Sequence, residues 1–231
     1  QTTAQVKTST RQMIHVGISK DDAVRMTRLM VQNQFNEREI MRAQEIVMNA
    51  HGKGLPVGPV INKAFEGMTK QVQARNVIQA METVQNRYSV AHAYANRVAD
   101  QKTSREQIQN AIAQGLAAGL KENDVGALTE ALMQRGRVEN MSAGRLGTLA
   151  TETFSAARDM ARLGTSSEAT GTVICQAIQQ RYNERELQML SKSFASQSRQ
   201  VAPTTLASRY TEAIRGGTAA DGLGSYGAQG G

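Results

Sequence analysis

Val77-Ile78-Gln79-Ala80-Met81-Glu82-Thr83-Val84-Gln85-Asn86-Arg87-Tyr88-Ser89-Val90-Ala91-His92-Ala93-Tyr94-Ala95-Asn96-Arg97-Val98 decides the fold. Within it Val77, Met81, Val84, Tyr88, Ala91, Ala95 and Val98 recur three and four residues apart, the spacing that lines one face of an α-helix. No Gly or Pro interrupts the run. The same pattern extends outward. Leu146, Leu149, Phe154, Ala157, Met160 and Leu163 mark a second long helix over residues 142–163. Ile40, Ala43, Val47 and Ala50 mark a shorter one, as do Val60, Ile61, Ala64, Phe65 and Met68. Further stripes run through Ile108, Ala111, Ile112 and Leu116, and through Val125, Leu128 and Leu132. Near the end come Leu187, Leu190 and Phe194, then Leu206, Tyr210 and Ile214.

The composition agrees. The chain has 231 residues, of which 40% are hydrophobic and only 4% aromatic, with three Pro and no Trp. That is enough chain to bury a core, and it is poor in the aromatic residues and frequent turn signals of a β-sandwich or barrel. The fold expected is all-α: a helical repeat-like bundle of about ten amphipathic helices, with no convincing strand.

Boundaries between helices have chemical signatures. Asn36 with Glu39, Thr103 with Glu106 and Thr165 with Glu168 have the spacing of capping boxes. Gly54-Leu55-Pro56 ends one helix and aims the next, because Gly accepts a left-handed backbone and Pro cannot continue a helix. Pro59 and Pro203 suit first-turn positions. Gly115-Leu116-Ala117-Ala118-Gly119 is a small-xxx-small element suited to close helix crossing.

The chain resembles itself in three places, and two of these matches suggest an internal duplication of about 90–100 residues. Gly17-Ile18 with Asp21-Asp22 matches Gly119-Leu120 with Asn123-Asp124, and Asn86-Arg87-Tyr88 matches Gln180-Arg181-Tyr182. Phe35-Asn36-Glu37-Arg38-Glu39-Ile40 recurs as Tyr182-Asn183-Glu184-Arg185-Glu186-Leu187, at an offset that does not fit that period. The organisation expected is a helical half over 1–102, a second over 103–215, and a Gly-rich tail over 216–231.

That tail is an interaction candidate. Ordering a backbone costs roughly 1–2 kcal/mol per residue, so a glycine-dense end holds one conformation only when something grips it. A neighbouring subunit is the expected grip, with Gly216, Gly217, Leu223, Tyr226, Gly230 and Gly231 as partner-binding residues. The tail also spells Gly-x-Gly-x-x-Gly at Gly222, Gly224 and Gly227, but that spacing cradles a pyrophosphate only between a strand and a helix.

Chemistry is sparse. His15, His51 and His92 lack a His or Cys at metal-ligand spacing, and paired acids such as Asp21 and Asp22, or Glu37 and Glu39, stand at helix starts where they favour the dipole. There is no Walker loop and no Gly-x-Ser-x-Gly elbow. Cys175, the single cysteine, lies in the apolar helical run Thr172–Ile178 and reads as a buried inert thiol. No catalytic, cofactor or metal residue is expected. The net charge of +7 suits an acidic partner, nucleic acid or lipid headgroups, yet the cations are scattered as on a solvated surface. Tyr88, Tyr94, Tyr182 and Tyr210 fall on or beside apolar stripes rather than on a stacking face. Met26, Met30, Met41, Met48, Met68 and Met81 serve as core filler or line an adaptable groove.

No stretch approaches the length of apolar sequence needed to span a bilayer. The chain opens on Gln1 rather than Met, which fits a processed chain, with trimming as the alternative. Gly54-Leu55-Pro56-Val57-Gly58-Pro59, followed by Lys63 and Glu66-Gly67, resembles a motif of exported helical proteins of bacteria to which no activity is attached. The likeness covers residues 36–85. The second half departs from it, since Leu163-Gly164-Thr165 lacks the Pro. It implies a periplasmic or extracellular, non-enzymatic role and transfers no site residue.

The function expected is therefore a non-enzymatic structural or interaction subunit of a larger assembly, with copies of itself or other proteins as partners. A basic nucleic-acid-binding protein, with a cytoplasmic location, and a carrier of hydrophobic ligands are the alternatives.

Overall fold

The structure is a computed structural model and describes residues 3–225. Those residues are all-helical, with eleven α-helices, one 3-10 helix and no strand. In order they are α1 (Ala4–His15), α2 (Lys20–Gln32), α3 (Glu37–Gly52), α4 (Val57–Thr69), α5 (Ala74–Val98), α6 (Lys102–Ala117), α7 (Glu122–Val138), α8 (Ala143–Arg162), α9 (Ser167–Gln179), α10 (Glu184–Gln197), α11 (Pro203–Arg215), and a 3-10 turn over Ala220–Ser225. The long stripe beginning at Val77 is α5.

One link recurs between helices. All nine positive-φ residues among the described residues (Gly17, Gln34, Gly54, Gln71, Gly119, Asn140, Gly164, Arg181 and Gly217) lie just past a helix end. In each case the next amide reaches back five residues, as from Ile18 to the Met13 carbonyl at 3.0 Å and from Leu55 to that of Ala50 at 2.9 Å. This is the Schellman closure, which satisfies carbonyls that the helix leaves unpaired. The residue after the turn and the fourth of the next helix then have the placement of a hydrophobic staple, as in Ile18 and Ala23, Phe35 and Ile40, Leu55 and Val60, all buried.

Caps complete the links. Asn36 and Asn183 each make a full capping box, with Glu39 and Glu186. Two caps differ from expectation. The residue before α6 is Gln101, so Thr103 lies inside the first turn. Ser166, not Thr165, caps α9 and accepts from the Ala169 amide, because Thr165 takes the buried position that follows the left-handed residue Gly164. Gly119 likewise is a turn residue beyond the end of α6, not half of a helix-crossing pair.

The contacts divide the chain into two compact units, Gln1–Ser89 and Val90–Gly231, with the division inside α5. In the first unit α1 packs on α2 and α3, and α2 on α3 and α4. Two consecutive hairpins therefore stack, α1–α2 on α3–α4, and their left-handed link residues recur at Gly17 and Gln34, then at Gly54 and Gln71, a constant offset of 37 residues. Met13, Met26, Met30, Ile46, Ile61 and Met81 fill this core. The second unit repeats the scheme in two rows, α6–α8–α10 and α7–α9–α11. Its core centres on Phe154, Phe194, Tyr210 and Leu128, with Phe194 and Tyr210 edge to face at 5.4 Å. Burying such side chains contributes about 1.5–3 kcal/mol each.

The self-matches now separate. The Gly17/Gly119 and Phe35/Tyr182 pairs fall on equivalent helix links. The Tyr88/Tyr182 pair does not: Tyr88 is in the middle of α5, and Tyr182 is in a turn. The repeat visible in the structure is the helical hairpin.

Candidate interaction site

The tail is described as far as Ser225. Gly216 and Gly217 close α11, and the 3-10 turn packs on α10 and α11. Tyr182 donates its hydroxyl to the Thr218 carbonyl at 2.5 Å, and Gln197 Nε2 donates to the Leu223 carbonyl at 2.8 Å. Leu223 is fully buried. Over residues 216–225, the grip that the sequence argument assigned to a partner is supplied by the same chain, and the Leu223 side chain is core rather than a partner anchor. Tyr226, Gly230 and Gly231 lie outside the described residues. Gly222 and Gly224 sit in the 3-10 turn with no strand before them, and Gly227 also lies outside the described residues.

Among the described residues, no group of three or more His, Cys, Asp or Glu is placed to hold a metal ion. Nor is any helix long and apolar enough to cross a membrane. Cys175 is half-buried, and burial, followed by the nearby Asp124 carboxylate, pushes its thiol pKa up and away from a nucleophilic thiolate. Ser167 gives its proton to Asp124 at 2.5 Å and accepts from the Lys121 amide at 2.7 Å, a brace between the starts of α7 and α9. The His51 ring lies over Gly17, where an added Cβ would meet its Nε2 at 3.2 Å.

Among the described residues a small groove of about 130 Å3 lies between α8 and α10, with Glu152, Asp159 and Lys192 in its lining, and charge separates three larger ones. Between α1 and α3, about 680 Å3 is lined by Met41, Met48, Arg38, Arg42 and Glu45 with polar residues of α1. Its Arg42 is bound by Glu45 at 2.8 Å and Glu82 at 2.7 Å, and these carboxylates hold the guanidinium pKa above its usual value. Between α7 and α9, about 260 Å3 is lined by Val138, Ile178, Arg135, Arg181 and Glu139. Arg135 there donates to the Tyr182 carbonyl at 2.6 Å and the Arg181 carbonyl at 3.1 Å, and Glu139 lies within ion-pair distance of both arginines. In the first of these grooves Arg42 is matched by carboxylates and Glu45 lies in the lining, and in the second Arg135 and Arg181 share Glu139.

The third groove, between α1 and α2, has a volume of about 370 Å3. Lys7 and Arg11 stand one turn apart on α1, Arg28 stands on α2, and no carboxylate lines the groove. Among the described residues none of these three cations forms an ion pair. Ile14, Val24 and Val31 supply its apolar surface. Thr10, Thr27 and the exposed Gln32 complete the lining, and the two threonines already have their partners. Their hydroxyls donate to the Val6 and Ala23 carbonyls at 2.8 Å, so their oxygens must accept. Gln44 Nε2 donates to each, at 2.9 Å. The two amide protons match the two oxygens, which fixes the orientation of the Gln44 amide. The groove therefore asks for apolar contact along its length and negative charge at its rim.

The sequence reading scattered these cations over a solvated surface. Their convergence depends on the α1–α2 hairpin, and the one local trace is the i, i+4 spacing of Lys7 and Arg11. Of the methionines considered for a groove, Met26, Met30, Met68 and Met81 are core, while Met41 and Met48 line the α1–α3 groove. Comparison with family models, curated proteins and solved structures finds no match to the chain.

Proposed function

We propose that the protein is a non-enzymatic interaction subunit that joins a larger protein assembly through the surfaces of its stacked hairpins. One observation carries this reading: the α1–α2 hairpin presents an open groove of nine residues, and five of the equivalent positions are buried in the α3–α4 hairpin. Stacked helical hairpins bury a continuous core and offer extended surfaces for partners. The likeness of residues 36–85 to exported bacterial proteins adds that the assembly belongs to the periplasm or cell exterior. Size-exclusion chromatography with light scattering on the protein from its native source tests the reading. A particle heavier than one copy of the native chain is expected. A strict monomer with nothing co-purifying overturns it.

A further inference from the structure

The constant offset between the two hairpins of the first unit allows a position-by-position comparison. Adding 37 to the number of each α1–α2 groove residue gives its counterpart in α3–α4. Five of the nine, Lys7, Thr10, Val24, Thr27 and Val31, correspond to Gln44, Val47, Ile61, Ala64 and Met68, which are buried in the hairpin that α1 and α2 cover. Met48 and Phe65, the counterparts of Arg11 and Arg28, are half-buried, and His51 and Thr69, those of Ile14 and Gln32, are exposed at the end of the face. Gln44 reaches across to Thr10 and Thr27, and Phe65, the counterpart of Arg28, lies under the Arg25 guanidinium at 4.7 Å from its ring centre. In the first hairpin the same positions leave Lys7 and Val24 exposed and Val31 half-exposed, with Val24 retaining 43% of its surface. The rim of the face that helices cover in one hairpin is thus open in the other, over a floor formed by Thr10 and Thr27, and it has exchanged part of its apolar lining for cations.

We propose that the α1–α2 groove docks an amphipathic helix of a partner protein, with the apolar seam of that helix on Ile14, Val24 and Val31 and its flanking carboxylates on Lys7, Arg11 and Arg28. This rests on the interaction-subunit reading and names the partner's chemistry. A helix is the occupant because stacked helices cover the counterpart face, and because the groove residues follow the i, i+3, i+4, i+7 spacing along both walls. Acidic flanks follow from three cations with no carboxylate among the lining residues. Thr10 and Thr27 make no polar demand, since Gln44 and their own helices occupy their hydroxyls. Nucleic acid fits less well: no aromatic residue lines the groove for base stacking.

The test uses the full chain and two synthetic peptides of about 18 residues, long enough for roughly five helical turns. Both carry leucines at i, i+3, i+4 and i+7; one has glutamates on the flanks and the other lysines. By fluorescence anisotropy the glutamate peptide binds at least tenfold more tightly, and its affinity falls as salt rises. The double variant R11E/R28E reverses the preference. Val24→Asp abolishes binding of both peptides while leaving the circular dichroism unchanged, because Val24 is not part of the core. Equal affinity for the two peptides, no binding of the glutamate peptide, or an unchanged preference in R11E/R28E overturns the proposal. So does displacement of the bound peptide by single-stranded DNA, by phosphatidylserine vesicles or by excess unlabelled protein, which would name a different occupant. A silent peptide alongside a heavy native particle removes this inference and leaves the proposed function standing; a native monomer that binds the glutamate peptide does the reverse.

Discussion

Gln44 shows how much of the first unit depends on one side chain. It is completely buried, and its two amide protons supply the hydrogen bonds that the Thr10 and Thr27 oxygens need. Its own Oε1 finds no partner among the described residues, a desolvation cost accepted to tie three helices together. Gln44→Ala removes both bonds and leaves a void, and we expect a loss of about 2–4 kcal/mol of stability, read from urea midpoints at constant slope. Thr27→Val, which orphans only one amide proton, costs about 1–2 kcal/mol. If the two variants are equal, the network is not the tie described. None of this was legible in the sequence, where a Gln or Thr on a buried stripe reads as an interruption; only the folded neighbours show that the polar groups satisfy one another.

At the scale of elements, the links were partly legible. Gly54 announced its left-handed turn and Asn36 its capping box, because glycine and the Asn-x-x-Glu spacing carry local signals. Gln34, Gln71, Asn140 and Arg181 hold the same backbone conformation without glycine, and the packing of the helices on either side imposes it. This difference sets opposite outcomes for two substitutions. At Gln71, with φ of +53°, the side chain is exposed, so Gln71→Gly relieves strain and raises stability by about 0.5–1 kcal/mol. At Gly17, with φ of +107°, Gly17→Ala meets both the backbone penalty and the His51 ring, and lowers stability by more than 1 kcal/mol, roughly the cost of the left-handed backbone alone. Thermal midpoints of the two variants must move in opposite directions.

The closing 3-10 turn is an element whose hold depends on pH. Burial, aided by the Glu186 and Asp221 carboxylates, pushes the Tyr182 phenol pKa up from 10.0 to about 12. The folded chain therefore keeps a proton that the unfolded chain releases. The stabilisation from Tyr182 is complete below pH 10 and is lost as the pH rises towards 12. The wild type should lose stability more steeply across that window than Tyr182→Phe, which has no proton to release; parallel slopes in denaturation curves would refute the coupling. A glycine-rich composition concealed this attachment, because it rests on Tyr182 and Gln197, far from the tail in sequence.

For the whole molecule, the all-α class was legible because helical periodicity is a local signal present in nearly every window. The division of contacts was not. The sequence pattern breaks after Val98, where α5 ends, whereas the contacts divide at Ser89, inside a helix whose apolar stripe runs on without a change of period. Up to Ser89 the helix belongs to the first unit, through Arg42 with Glu82 and Gln85 with the Ile46 carbonyl; beyond it, Arg97 pairs with Glu130 in the second. Ser89→Pro separates local continuity from unit integrity. It removes the Ser89 amide from the helix ladder and sets a ring against the preceding turn, at a cost of about 3 kcal/mol or more confined to α5. If each unit holds its own core, trypsin gains a site at Arg87 and yields two resistant pieces, while far-ultraviolet circular dichroism falls only slightly. General digestion would mean that the two cores unfold as one. The glutamate peptide should still bind the uncleaved variant with wild-type affinity, since Lys7, Arg11, Arg28 and the hairpin that positions them all lie within the first unit, away from the substituted turn.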